Sequence, residues 1–276
     1  MSTPSNRRFE RHPKALFLFS LFCCFLFAAC ARPSSTATLS LTTTCVPSAH
    51  RGDREAGPDN SITAIKSAVD RSFPFLEVDV RSSPSGALFL FHDKNLKRNN
   101  FIGSEAFINR AVSSLTDEER AAIEIPNHEK VPTLTDALRV VSHSQSTAQL
   151  DLKPDSEEMV RNVVRTIRTV PGAIPNVVIQ CQELACVELL RRDYPELKVL
   201  ARIFDIRLLK KALALSPALV QIDADQLSAD VVALIHGVGA KLLIKSLGTP
   251  PDTKESWNAL CDHGVDIVLT DHPRDF

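Results

Sequence analysis

At 276 residues, with 32 basic groups against 33 acidic ones and 44 % hydrophobic residues, the chain has enough apolar material for one large domain or two small ones. The near-zero net charge, with no basic stripe interleaved with aromatics, excludes nucleic acid as the main partner.

In chain order, Arg7, Arg8, Arg11 and Lys14 precede an apolar run from Ala15 to Cys30 that ends in small residues. This is the pattern of an export segment over residues 1–30. Its last residues, Leu26-Phe27-Ala28-Ala29-Cys30, resemble the lipobox of bacterial lipoproteins, with Phe27 where leucine is usual. That resemblance implies lipid attachment at Cys30. Cleavage after Ala31 and retention as a single membrane anchor fit the same residues. Residues 31–44 are polar and hydroxyl-rich, as a tether would be, so the folded body is expected over 45–276. The expected location is outside the cytoplasm, in the periplasm or cell envelope, with membrane association through the N-terminal segment. Of the seven cysteines, Cys45, Cys181, Cys186 and Cys261 fall in the body. Their spacing is not that of metal ligands, and both disulfides and buried free thiols fit it.

From Cys45 onward, short apolar runs alternate with helix-period segments. The pattern predicts strands over 45–50, 74–80, 147–153, 176–181, 197–203, 218–223, 240–246 and 265–270. Helices are predicted over 60–71, 133–144, 155–169, 183–193, 205–215, 226–237 and 252–263, several opening with an Asp, Asn or Ser cap. Eight strands separated by helices point to an α/β fold, a (β/α)8 TIM barrel. A doubly wound sheet is the alternative, although no glycine-rich phosphate loop follows the first strand. An extra strand over 87–92 and a long insertion over 95–131 interrupt the alternation after strand two. Six residues follow Thr270, too few for an eighth outer helix, so the barrel is expected to be open on that flank.

The chemistry lies where these strands end. His50-Arg51-Gly52, Glu77-Val78-Asp79 and His92-Asp93 occur in a short stretch. Imidazoles pass protons at neutral pH, and a Glu-x-Asp pair on one strand points both carboxylates to one face, where they can share a divalent cation. Arg51 adds a planar, permanently charged fork that matches phosphate oxygens. Asp151 and Lys153 end the third strand, Arg202 the fifth, Asp223 the sixth and Lys245 the seventh, and Asp271 follows the eighth. Charges gathered at one rim of a barrel favour a site over coincidence, with salt bridging across the mouth as the plainer reading of Arg202, Asp223 and Asp271.

In this order the residues resemble the glycerophosphodiester phosphodiesterase family. Its His-Arg-Gly and Pro-Glu-Asn are matched by His50-Arg51-Gly52 and Pro58-Asp59-Asn60, its Glu-x-Asp-Val by Glu77 to Val80, and its His-Asp with a following leucine and arginine by His92, Asp93, Leu96 and Arg98. Pro132-Thr133-Leu134 and Gly264 to Pro273 continue the series. The resemblance implies hydrolysis of small-molecule or lipid-derived glycerophosphodiesters to an alcohol and sn-glycerol 3-phosphate. It implies His50 and His92 as general acid and base, in no assigned order, and Arg51 and Lys153 as substrate-binding residues. Glu77, Asp79 and Asp151 are implied as ligands of Ca2+ or Mg2+. Asp151 and Asp59 stand where the family usually has glutamate, and Lys245 stands where a neutral side chain is common. Cyclising cleavage, in the manner of phosphatidylinositol-specific phospholipase C or the sphingomyelinase D toxins, and phosphodiester binding without turnover are the alternative readings.

Overall fold

The computed structural model describes residues 45–97, 101–103 and 105–276. The segments expected to direct export and to tether the body, with Cys30, lie outside the described residues, as does Arg98. The described sheet contains β1 (Val46–Ala49), β2 (Phe75–Ser82), β3 (Leu88–Leu90), β4 (Thr147–Leu152), β5 (Val177–Cys181), β6 (Lys198–Arg202), β7 (Leu219–Ile222), β8 (Lys241–Lys245) and β9 (Ile267–Thr270). β3 hangs on β2 as an antiparallel hairpin strand, and the other eight are parallel. β1 pairs with both β2 and β9, the latter from Val46 opposite Ile267 to Ala49 opposite Thr270. That pairing closes the cylinder, so the fold is the (β/α)8 barrel and not the doubly wound sheet.

Alternation along the strands separates two cores. Outward residues such as Leu76, Val78, Leu150 and Ile179 join the apolar layer under the helices. Inward residues Val178, Leu200, Leu219, Leu243, Ile267 and Leu269 fill the lower barrel as a distinct cluster. Toward the C-terminal ends of the strands the inward positions turn polar. Gln149, Gln180 and Gln221 are buried there, with Glu77, Asp79, Asp151 and Lys153 in the same part of the barrel.

The outer layer comprises α1 (Ile62–Asp70), then α2 (Asp117–Ala122) within the insertion, α3 (Leu134–Val141), α4 (Glu157–Thr169), α5 (Leu184–Asp193), α6 (Leu209–Leu213), α7 (Ala229–Gly237) and α8 (Lys254–Asp262). Side chains of Ser61, Thr133, Ser156, Ser228 and Thr253 cap the helices that follow them, so serine fills three of these caps as expected and threonine, which the sequence signals did not name, fills the other two. The helix expected over 205–215 is shorter, because its first turn is a 3-10 turn over Ile206–Leu208. The insertion builds its own small core, in which Phe101, Val112, Leu115 and Ile123 pack on Phe89 and Phe91.

No helix follows β9 among the described residues, yet the flank expected to be open is closed at the level of the strands. A disulfide from Cys45 to Cys261 ties the start of β1 to α8, and Phe276 stacks on Trp257 with ring centroids 5.5 Å apart. Arg274 reaches across the seam to Asp53, which is fully buried, with Nη2 2.8 Å from Oδ2; Ser67 Oγ donates to the same carboxylate at 2.7 Å. Burial opposes ionisation of Asp53, but the hydrogen bonds from Arg274 and Ser67, with the charges of Arg274 and Arg71, outweigh it and hold the pKa below its ordinary value. A depressed folded-state pKa stabilises the fold above the unfolded-state value, and that stability is lost as pH falls through the folded-state one. Asp53→Asn is therefore expected to destabilise the protein by about 2 kcal/mol at pH 7. In urea unfolding the gap to wild type should shrink below roughly pH 4; a gap of equal size at pH 3 and pH 7 contradicts this account.

Candidate active site

The residues at the barrel mouth are placed by strand ends and by one tight loop. His50 follows β1 directly, and the chain then turns through Arg51 at φ 59° and Gly52 at φ 85°. A Cβ on Gly52 would sit 2.9 Å from the Ala64 carbonyl carbon, so the close pass of α1 under this loop requires glycine. Asn60, also at positive φ, turns its carboxamide onto β2. Its Nδ2 donates to Asp79 Oδ2 at 2.8 Å, and its Oδ1 accepts from the Asp79 amide at 3.0 Å.

His50, Glu77, Asp79, His92, Asp151 and Lys153 line one cavity of about 180 Å3, together with Arg202 and Lys245. Carboxylate oxygens of Glu77, Asp79 and Asp151 all lie within 4.8 Å of one another. Lys153 Nζ sits among them, 2.8 Å from Asp79 Oδ1 and 3.2 Å from Asp151 Oδ2. Burial and the neighbouring charges of Asp79 and Asp151 push Glu77 well above the ordinary carboxyl range. Burial also raises Asp151. For Asp79 burial is outweighed by the charges of Lys153 and Arg51, which hold it low. Buried hard oxygen donors with excess negative charge suit a divalent cation of the Ca2+ or Mg2+ kind, so the residues present fit that group.

Both histidines are oriented by carboxylates. His50 Nδ1 lies 2.6 Å from Asp271 Oδ1, and His92 Nδ1 lies 2.8 Å from Asp93 Oδ1. Burial opposes ionisation of Asp271, but hydrogen bonds from His50 and Arg54, and their charges, outweigh it and hold the carboxyl well below the usual range. An ionised carboxylate only accepts, so Nδ1 of His50 carries a proton and Nε2 is left to face the site. There it lies 4.0 Å from Glu77 Oε2. His50 is buried, which lowers its own pKa despite Asp271, whereas the His92 side chain is 37 % exposed. The backbone of His92 is pinned by Arg81, whose Nε donates to the Phe91 carbonyl at 3.0 Å and whose Nη2 donates to that of His92.

Arg51 does not line this cavity. Its guanidinium meets Asp59 Oδ2 at 2.6 Å and Asp79 Oδ2 at 3.3 Å, beside an adjoining groove that shares His92. Asp59, without a role in the sequence reading, bridges Arg51 and Arg54. Asp223 pairs with Arg202, and Asp271 with His50 and Arg54, so for these acids the salt-bridge reading describes what is present. Asn60, Arg81 and Gln182 were not among the residues expected at the site; Gln182 Nε2 donates to Asp151 Oδ1 at 3.2 Å. For Arg81 a signal existed, since it keeps the parity of Glu77 and Asp79 along β2.

The sequence model described as "Glycerophosphoryl diester phosphodiesterase family" matches residues 50–275. The chain belongs to this family. A family relative named glycerophosphodiester phosphodiesterase, from Caldanaerobacter subterraneus subsp. tengcongensis, is 23 % identical over 242 residues, covering 82 % of this chain and 93 % of the relative. A Galdieria sulphuraria protein named for the same activity superposes with a TM-score of 0.72 at 16 % identity, over 84 % of this chain and 95 % of that one. An Oleispira antarctica phosphodiesterase, solved in complex with the product sn-glycerol-3-phosphate, superposes with a TM-score of 0.70 at 20 % identity, over 83 % and 94 % of the two chains. As a member of the glycerophosphoryl diester phosphodiesterase family, the chain has its two imidazoles and its carboxylate cluster inside the matched span.

Proposed function

We propose that the protein is a metal-dependent glycerophosphodiester phosphodiesterase that releases sn-glycerol 3-phosphate and an alcohol. The observation that carries this reading is one cavity holding two carboxylate-oriented imidazoles beside three clustered carboxylates. The product bound by the Oleispira antarctica relative supports the substrate class.

Glu77, Asp79 and Asp151 would hold Ca2+ or Mg2+. The chemistry such an ion supplies is Lewis-acid withdrawal of charge from a phosphoryl oxygen. Lys153, and Arg51 from the adjoining groove, supply fixed positive charge for the remaining oxygens. One imidazole takes a proton from the attacking water as its oxygen bonds to phosphorus. The other delivers a proton to the alcohol oxygen as the phosphorus–oxygen ester bond breaks, so one water is consumed for each alcohol and phosphomonoester formed. Asp271 and Asp93 fix the ring orientation this exchange needs. Asn60 and Arg81 hold Asp79 and the His92 backbone in place.

The same proposal puts the protein in the cell envelope: residues 1–30 direct export, Cys30 carries the lipid and residues 31–44 tether the barrel. The disulfides Cys45–Cys261 and Cys181–Cys186 support an oxidising compartment. None of the described helices is long and apolar enough to cross a membrane.

The test is release of glycerol 3-phosphate from glycerophosphocholine and glycerophosphoethanolamine by the purified protein, in EDTA and then with Ca2+ or Mg2+ restored. Metal-restored release with no cyclic phosphate in the phosphorus NMR spectrum is the expected result. Silence with every ion, or a cyclic product, removes the hydrolase reading.

A further inference from the structure

The catalytic groups gather on one side of the cavity. β1, β2 and β4 bring His50 and the three carboxylates, and the loop after β3 brings His92. The facing wall comes from β6, β7 and β8 and carries charge of the opposite sign, Arg202 and Lys245, with Gln221 between them. Lys245 is exposed at the end of β8 and has no ion-pair partner among the described residues. Arg202 is the more telling residue, because its side chain is only 9 % exposed. One end of its guanidinium pairs with Asp223 and its Cζ lies 4.6 Å from the Phe204 ring centroid, yet Nη1 is buried without a hydrogen-bond partner. Gln221 Oε1, beside Arg202 in the strand register, is likewise unpartnered. Buried donors in native proteins are nearly always satisfied, so an idle guanidinium N–H on a residue that lines a cavity marks a place where a ligand group belongs.

The charge of this wall selects the ligand. A quaternary ammonium there would meet two cations, and Phe204, which is 58 % exposed at the rim, turns a face to Arg202 and so offers no open cage for it. An acidic group would meet a planar guanidinium and a mobile ammonium, the pairing that binds carboxylates and phosphates. The phosphodiester itself belongs with the imidazoles and the carboxylate cluster on the other side. We propose that Arg202 and Lys245 form a subsite for an acidic group, a carboxylate or a phosphate, carried by the alcohol portion of the glycerophosphodiester. This rests on the phosphodiesterase reading above and narrows its substrate class.

Two substrate pairs that each differ by one acidic group test it. Glycerophosphoserine adds a carboxylate to glycerophosphoethanolamine, and glycerophosphoinositol 4-phosphate adds a phosphate to glycerophosphoinositol. Wild type should favour the acidic member of at least one pair by about tenfold in kcat/KM, and the pair that responds names the group. Lys245→Met should erase most of that ratio and Lys245→Arg should keep it. A wild-type ratio near one for both pairs overturns the inference. So does a Lys245→Met variant that lowers both members of a pair equally, because the lysine then serves the phosphate they share. Silence on all four substrates sinks the hydrolase reading alone. Calorimetric binding of both substrate pairs to the His92→Ala protein still reads the subsite, and equal affinities within each of the two pairs overturn it.

Discussion

His92→Ala is expected to lower kcat for glycerophosphodiester hydrolysis by about 10³-fold, within the range of 10² to 10⁴ that one positioned acid or base contributes. His92 is the cleaner of the two histidines to remove. Its ring is 37 % exposed and bonded to Asp93, while the backbone of the segment is held independently by Arg81. The thermal midpoint should therefore move by less than about 2 °C, as for a surface substitution. His50 is buried and bonded to Asp271, so its removal would mix catalytic loss with a cavity and an abandoned carboxylate. The same variant divides the proton roles. An ester with a p-nitrophenol leaving group needs no protonation, so recovery of most of the lost rate on that substrate makes His92 the acid. An undiminished loss makes it the base. Near wild-type turnover on glycerophosphocholine would remove His92 from the mechanism.

How much of this was legible in the sequence follows the range of the interactions. The strands could be read because barrel strands are apolar on both sides through their lower half, as Val178, Leu200 and Leu243 inside and Leu76, Leu150 and Ile179 outside illustrate. The site residues could be read because each ends such a strand or the hairpin strand beside it, and strand ends converge at one rim. What escaped depends on contacts between distant parts of the chain or on unusual backbone. Asp271 reaches His50 across 221 residues, Arg274 reaches Asp53 across the same separation, and Cys45 pairs with Cys261 across 216. Four cysteines do not announce which pairs they form. Asn60 acts through a left-handed turn that brings its carboxamide to Asp79, a geometry its neighbours in sequence do not specify. α2 was within reach, since Thr116 and Glu119 carry the capping-box spacing and form the box, but the surrounding insertion lacks a sustained period.

Glu77→Gln should abolish hydrolysis while making the metal-free protein more stable. Glu77 is 3 % exposed, has two further carboxylates beside it, and is compensated only in part by Lys153 and Arg51. Desolvation and like-charge repulsion both act against the folded state there, and a cation site depends on that unfavourable charge. The amide keeps the volume and can still accept the hydrogen bond from the Arg51 backbone, now 3.1 Å from Oε2, while removing the charge. In EDTA the variant should gain about 1 kcal/mol, a rise in Tm of roughly 2–4 °C for a domain of this size. Calorimetric affinity for Ca2+ or Mg2+ should fall more than about 100-fold, because affinity at oxygen-donor sites follows the number of ligand charges. With metal in excess the order reverses, and wild type becomes the more stable protein through binding linkage. A site built for a cation must show both signs. A variant that loses stability in EDTA as well as with metal would mean that Glu77 is a structural acceptor for the Arg51 amide, and that the three carboxylates are held by Lys153 and Arg51 as an ordinary buried ion-pair network.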